Sequence, residues 1–525
     1  MKINFIKIND KYIYIFLVLF SFYFNRYYGN LGVFPIDTFA FFDSAYNILI
    51  GRHPFKDIWV TTGPVVDYFQ SFFFKVFGLN WNSYVIHASV INSLIVVFFY
   101  KTLTRFALSK KYSFFYSLLF SMLAYTVSGT PFAYIHSYIL SLFSVLIFFH
   151  CIKFKSKIAF FFLPVILFFS FFSMQNPSTF FIIIIFILLL YFFLNFRFSG
   201  FLYLIYGGVF TITLFAVYLV FSEVSIIDIW QQYFLFPLSI GENRIEGNDI
   251  AHISLAGRST FKNIFGHFKF INFYILGFFI LTIFCFFKKR ILKEDLIINI
   301  SLILSGIFLI FNQLITSNQT FIFSFILFIG AFFHLFLKKY FSISKKFEYF
   351  LIFLVLFSTA KYHLEYNQKR KFMDLQNVDL KQYSTGIKLD KKLKNLKWIT
   401  PEFSQFSQVE IDLLFETKNL LKNDTNPKMV ITHYQFFSLL LEENLNIPNR
   451  WYTHDNNSYP LNNNKLFLFY KKHINKILET KNISNIYVIG NDINFRNFFI
   501  FFNDLCFSEE KKNKIVKLYK VTNCN

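Results

Sequence analysis

Between Phe34 and Gly78 the chain gathers residues able to do chemistry: the carboxylates Asp37, Asp43 and Asp57, and the basic side chains Arg52, His53 and Lys56. Carboxylates take protons, and a cationic fork or ammonium holds an anion, so acid–base work beside a bound anion is the chemistry this stretch offers. Two more arginines, Arg244 and Arg258, stand in a later polar stretch, where Phe236 to Asn243 reads as irregular backbone. His136, Gln175 and Asn176 sit beside long apolar runs, as cavity-lining groups or as polar contacts of helix ends. On residue chemistry alone Asp37 reads first as a helix cap, because a short acidic side chain before a helical run satisfies orphan backbone N–H groups. No histidine has a partner at metal-ligand spacing, His252 included, and the residues leave a divalent metal open.

The elements that must position these groups are set by composition. Of 525 residues 55% are hydrophobic and only 16% charged, against about a quarter charged in soluble domains, and 84 are Phe. No aqueous core absorbs that excess, so the bilayer is the solvent. With 18 Gly, 11 Pro and 4 Cys, collagen-like, disordered and disulfide-scaffold classes are excluded. About eleven stretches approach the roughly 20 apolar residues a spanning helix needs. They lie near Tyr12 to Tyr28, Tyr84 to Tyr100, Tyr112 to Val127, Phe132 to Ile152, Ile158 to Met174 and Thr179 to Asn195. The others run near Phe201 to Phe221, Ile271 to Phe287, Leu296 to Ile315, Phe321 to Leu337 and Phe347 to Ala360. Phe24 to Tyr27 offer no small-residue cleavage site, so the first stretch is expected to remain as an anchor.

Connections Lys101 to Lys111, Lys153 to Lys157, Arg197, Lys288 to Lys293 and Lys338 to Lys346 are basic, and the short connections between them, Ser128 to Pro131, Gln175 to Ser178 and Thr316 to Gln319, lack Lys and Arg. The positive-inside rule puts the basic ones and the N-terminus in the cytoplasm. The polar loops of about 29–81 and 223–269 and the tail from 361 then lie outside. The net charge of +22 is thereby spent on orientation and on anionic membrane lipid, and no motif supports nucleic-acid binding. The expected fold class is a polytopic α-helical membrane protein, with spans in 1–360 and a small external α/β domain in 361–525. Within that domain Met429 to Thr432, Leu466 to Tyr470 and Ile486 to Ile489 read as strands, Gln435 to Glu443 and His473 to Glu479 as helices, and Gly490-Asn491-Asp492 as a turn. Pairing of Cys506 with Cys524 is open.

In the first loop Gly51 should end one interfacial helix, with Asp37 or Thr38 at its start, and Pro64 should open a second. Val65, Phe69, Phe72, Phe73 and Phe77 are expected on apolar surroundings, with Asp67, Gln70 and Lys75 turned to polar ones.

The spacing of Asp37, Ala45, Asn47, Gly51, Asp57, Pro64 and Lys75-Val76-Phe77-Gly78 resembles the first external loop of GT-C integral-membrane glycosyltransferases, the group of the protein mannosyltransferases and aminoarabinose transferases. The resemblance implies transfer of a sugar from a polyprenyl-phosphate donor to a lipid, glycan or protein acceptor on the external face. It implies Asp37 as general base, with Asp43 as the fallback. The donor phosphate is then expected on Arg52, His53, Lys56, Arg244 or Arg258, and Asp57, His136, Gln175 and Asn176 are expected to line the substrate cavity. This chain departs from the family in three places. Thr38 follows Asp37 where an acidic residue is common, Val60-Thr61-Thr62-Gly63 just before Pro64 supplies no Lys, and no basic residue stands near Met174. Two other classes fit the same composition: an envelope polysaccharide polymerase or ligase using Glu242, Arg244 and Arg258, and a transporter or flippase. The scarcity of ionisable residues inside the spans speaks against the latter.

Overall fold

The computed structural model describes the chain except residues 1–9, 197–199, 248–252, 454–456, 492, 494, 503–504 and 524–525. Arg197, His252, Asp492 and Cys524 therefore lie outside the described residues. Internal contacts divide the chain into two compact units, each assembled from three stretches.

The first unit (1–29, 85–214 and 258–372) is helical. Every apolar run expected to span is a helix in the region read from sequence, because an apolar environment leaves the backbone no partner but itself. Seven of the eleven are long and apolar enough to cross a bilayer, fewer than the sequence count. They are Trp81–Arg105, Ala133–Phe154, Gln175–Asn195, Phe201–Ser222, Lys269–Phe287, Lys293–Thr316 and Lys345–Met373. Lys110–Leu123, Lys157–Phe171 and Phe325–Tyr340 have 14, 15 and 16 residues. At 1.5 Å per residue they reach only about 21 to 24 Å of a hydrocarbon core of about 30 Å. The fourth, Asp10–Gly29, has 20 residues but carries Asp10, Asn25 and Arg26.

Small and polar residues hold this unit together. Asn25 Nδ2 donates to Ser89 Oγ at 3.0 Å and to the Gly129 carbonyl at 3.2 Å, and Asn92 Nδ2 reaches the carbonyls of Ser21 and Ser121, each at 3.2 Å. Gly29 and Gly129 meet backbone to backbone. A Cβ on Gly29 would lie 2.4 Å from the Gly129 carbonyl oxygen, and Gly129 itself has φ +77°. Helix association without a hydrophobic drive uses such close approach and interhelical hydrogen bonds.

The second unit (30–84, 215–257 and 373–525) joins both large polar loops to the C-terminal residues. Strands β1 (Ser384–Thr385) and β2 (Lys397–Trp398) form an antiparallel pair. Strands β3 (Lys428–Thr432), β4 (Asn485–Ile489), β5 (Leu505–Lys511) and β6 (Val516–Asn523) form a mixed sheet ordered β3-β4-β6-β5, with only β3 and β4 parallel. The α/β character and two of the three expected strands are as read. Leu466 to Tyr470, expected as a strand, instead enters the helix Phe467–Thr480. Asn464 Oδ1 accepts the Leu466 N–H there, and Tyr470, Ile474, Ile477 and Leu478 fall on one buried helical face. Cys506 is disulfide-bonded, whereas Cys151 and Cys285 are free.

Main-chain bonds stitch the first loop to this unit. Gly32 and Val33 donate to the carbonyls of Lys397 and Ile399, each at 3.0 Å, alongside β2. Trp59 donates to the Pro448 carbonyl at 2.8 Å and accepts from Arg450 N–H at 3.1 Å. The core of the sheet includes Trp59 from the first loop and Phe236 from the second, packed with Met429, Ile431, Tyr470 and Ile486.

Candidate functional site

Asp37 lies in a four-residue helical turn, Pro35–Thr38, opened by a proline at its first position. The turn is pinned from several sides. Thr38 Oγ1 accepts the Phe34 N–H at 3.0 Å, the Thr38 carbonyl accepts Tyr84 OH at 2.8 Å, and the Ile36 carbonyl accepts Trp451 Nε1 at 2.9 Å. Among the described residues, no hydrogen bond or ion pair reaches the Asp37 carboxylate. The side chain keeps some exposure, yet dense surrounding protein, with a smaller contribution from the negative charge of Asp374, pushes its pKa up to about 7. Asp37 caps neither helix of the loop: the starts of Pro35–Thr38 and Phe42–Leu49 receive no side-chain cap. An uncommitted carboxylate poised near neutrality can exchange a proton with a bound hydroxyl.

Asp43 is placed differently. It is fully buried, and its two oxygens accept the N–H groups of Ser438 at 3.1 Å and Leu439 at 2.9 Å, in the first turn of the helix Phe437–Leu441. Burial lifts its pKa to about 7 although those bonds oppose the rise. Its oxygens are engaged where those of Asp37 are open.

The cations of the loop are engaged as well. Arg52 is buried and donates to Asn47 Oδ1 at 3.1 Å, Asn444 Oδ1 at 2.9 Å, and the carbonyls of Asp57 and Ile447, each at 3.2 Å. Desolvation lowers its pKa to about 10. His53 Nδ1 lies 2.8 Å from Tyr68 OH, and burial lowers the pKa of its ring. Asp57 accepts the His53 N–H at 2.8 Å and closes the turn between them. Lys56 forms a 2.6 Å ion pair with Glu223, whose side chain is 77% exposed, so this cation remains near solvent.

Arg244 is buried within the helix Phe236–Glu246, which corrects the expectation of irregular backbone there. Pro237 falls in the first turn of that helix, where a missing N–H costs nothing. Arg258 belongs to the other unit. It donates to the Ile315 carbonyl at 3.0 Å and Ser317 Oγ at 2.6 Å, at the C-terminal end of Lys293–Thr316, where a cation meets the negative helix end. His136, with Nδ1 at 2.9 Å from Tyr125 OH, and Gln175 and Asn176, at the start of Gln175–Asn195, also lie in the first unit. The structure thus gathers Asp37, Asp43, Arg52, His53, Lys56, Asp57 and Arg244 in one unit and Arg258, His136, Gln175 and Asn176 in the other. Among the described residues no group of three or more His, Cys, Asp or Glu side chains is arranged to hold a metal ion.

Sequence reasoning missed the pair that braces this loop. Arg450, 1% exposed, donates to Asp67 Oδ1 at 2.7 Å, to Ser44 Oγ at 3.2 Å and to Thr62 Oγ1, with its guanidinium 4.5 Å from the centre of the Phe41 ring. In the second loop helix, Val65–Phe77, Asp67 meets a polar partner as expected, although that partner is itself buried. Asp67 and Gln70 are buried, whereas Phe72, Val76 and Phe77 are exposed. A buried arginine draws the polar face inward, and the outward apolar face suits a helix lying in a membrane interface.

Fold and site together define a polytopic α-helical membrane protein whose polar loops and small α/β domain form one unit around a poised carboxylate. No family model matches the chain, and no curated protein matches its sequence. Among solved structures, ArnT from Cupriavidus metallidurans bound to undecaprenyl phosphate is similar over 96% of this chain and 97% of that one, at 11% identity and a TM-score of 0.42. Similarity at that level assigns neither activity nor site.

Proposed function

We propose that this chain is a GT-C-type glycosyltransferase that moves a sugar from a polyprenyl-phosphate donor to an acceptor on the external face of the plasma membrane. The observation that carries the proposal is the Asp37 carboxylate, open among the described residues and raised to about 7 at the position where the loop resembles that family. The resembling positions also have physical reasons to be what they are. Asn47 bridges the Asp43 carbonyl and Arg52, Gly51 and Gly78 take φ of +80° and +86°, and Asp57 closes its turn.

In the reaction Asp37 takes the proton of an acceptor hydroxyl as that oxygen bonds to the anomeric carbon. The bond from that carbon to the phosphate oxygen breaks on the opposite side, the electron pair leaves with the polyprenyl phosphate, and configuration inverts. The phosphate needs a cation. Lys56 is the readiest of the loop's cations, because an exposed ion pair is worth little and separates at small cost, whereas Arg52 would surrender four acceptors. Within the unit of the loop, Arg244 remains a further phosphate ligand in this proposal and Asp57 a cavity residue. Membranes carrying Asp37→Asn should lose transfer by at least about 100-fold with unchanged protein level and insertion. Transfer at the wild-type rate removes Asp37 as the base.

A further inference from the structure

At one end of the helical unit, four helices line an open cavity of about 460 Å³. They are Trp81–Arg105, Ala133–Phe154, Lys293–Thr316 and Phe325–Tyr340, and the side chains at their ends give the cavity two different surfaces. Phe106, Phe154, Ile298, Phe332 and Phe336 supply an apolar wall. Arg105, Lys153, Lys338 and Lys339 supply four positive charges against the single carboxylate of Asp295.

That carboxylate is already committed. Asp295 accepts from Lys153 at 2.7 Å, from Tyr340 OH at 2.5 Å and from Lys339, so two of the four cations are bound to it. Lys338 stands 3.5 Å from Glu348 with its side chain 44% exposed. Arg105 lies 4.1 Å above the Phe154 ring and 3.2 Å from His150 Nδ1, and among the described residues no carboxylate pairs with it. A guanidinium seated on an aromatic ring keeps N–H groups for an anion, and its planar fork can take two oxygens of one phosphate.

We propose that this cavity binds one anionic glycerophospholipid, with the phosphate between Arg105 and Lys338 and an acyl chain along the phenylalanine wall. Charge complementarity selects an anion. The apolar wall, beside the ends of three helices long enough to span a membrane, selects an anion that carries a hydrocarbon tail over a free one. This site is separate from the Asp37 loop and does not depend on the transfer reaction. It differs from diffuse attraction to basic loops in being a single cleft with named ligands.

The test titrates the purified full-length protein with dioleoyl phosphatidylglycerol and follows the first bound equivalent by native mass spectrometry. Arg105→Gln/Lys338→Gln should weaken that equivalent by about 30-fold, two surface cations' share of the attraction to an anionic headgroup. Lys288→Gln/Lys289→Gln, which removes the same charge elsewhere, should change it by less than about twofold. Dioleoyl phosphatidylcholine should not compete, and millimolar inorganic phosphate should not displace the lipid. Equal weakening by the two double variants, no weakening by the first, equal binding of phosphatidylcholine, or displacement by phosphate alone overturns the site. If Arg105→Gln/Lys338→Gln does not fold, Arg105→Gln alone, expected about fivefold weaker, decides in the same way.

Discussion

Asp37 and Asp43 show how one loop separates two carboxylates that look alike in sequence. Both are pushed up to about 7 by burial, but Asp43 holds two backbone N–H groups whereas Asp37 holds none among the described residues. If Asp37 is the base, the rate should fall as pH drops through about 7, tenfold per unit below it, as the carboxylate takes up a proton. A pH-independent rate between 5 and 8 contradicts the assignment. Stability carries the opposite sign. A carboxyl raised on folding favours the folded state while protonated and loses that advantage as pH rises through its folded value. Asp37→Asn should therefore unfold at a higher temperature than wild type at pH 8, with a smaller advantage at pH 5 and none near pH 3, in a thermal melt at each pH. A residue that raises activity while lowering stability is the signature of a working site. Arg450 answers a different test. Arg450→Ala leaves Asp67 buried without its cation, and unfolding should become easier by about 3 to 5 kcal/mol. Asp67→Asn/Arg450→Ala should recover part of that loss, read by denaturant or thermal unfolding. The loop residues of the site were legible because they cluster within one short stretch. The brace was not, because Arg450 and Asp67 stand 383 positions apart and no local pattern couples them.

Elements were legible where solvent preference alone decides them. Each of the eleven apolar runs is helical where it was read, and Met429 to Thr432 and Ile486 to Ile489 gave β3 and β4. Leu466 to Tyr470 failed because five apolar residues fit both periods, and the Asn464 bond and the buried face continuing to Leu478 resolve it as helix. The partner of the polar face of Val65–Phe77 was not legible for another reason. A helix between lipid and a polar unit has no fixed inside until its partner is known, and Arg450 is that partner. Between elements Gly29 and Gly129 make a close backbone-to-backbone approach. Gly29→Ala puts a methyl group on the Gly129 carbonyl, where both sides are backbone, and should cost about 1 to 3 kcal/mol. Gly208→Ala, with open space around its Cβ, should cost no stability. Equal thermal stability of the two variants contradicts this close packing.

For the whole molecule, the grouping of both polar loops with the C-terminal residues gives the proposed external chemistry a single body. The proposed orientation puts that body outside, so alkaline phosphatase fused after the last residue should be active and the same enzyme inserted between Lys288 and Lys293 inactive. The reverse pattern refutes the orientation read from the basic connections. Transfer itself is tested most directly by incubating the purified protein with a panel of polyprenyl-phosphate sugars and an extract of envelope acceptors, then weighing donors and products by mass spectrometry. The account predicts that wild type consumes one donor, releasing polyprenyl phosphate and adding one sugar mass to an acceptor, and that Asp37→Asn consumes none. Consumption of that donor by Asp37→Asn at the wild-type rate, or of no donor by wild type, contradicts it.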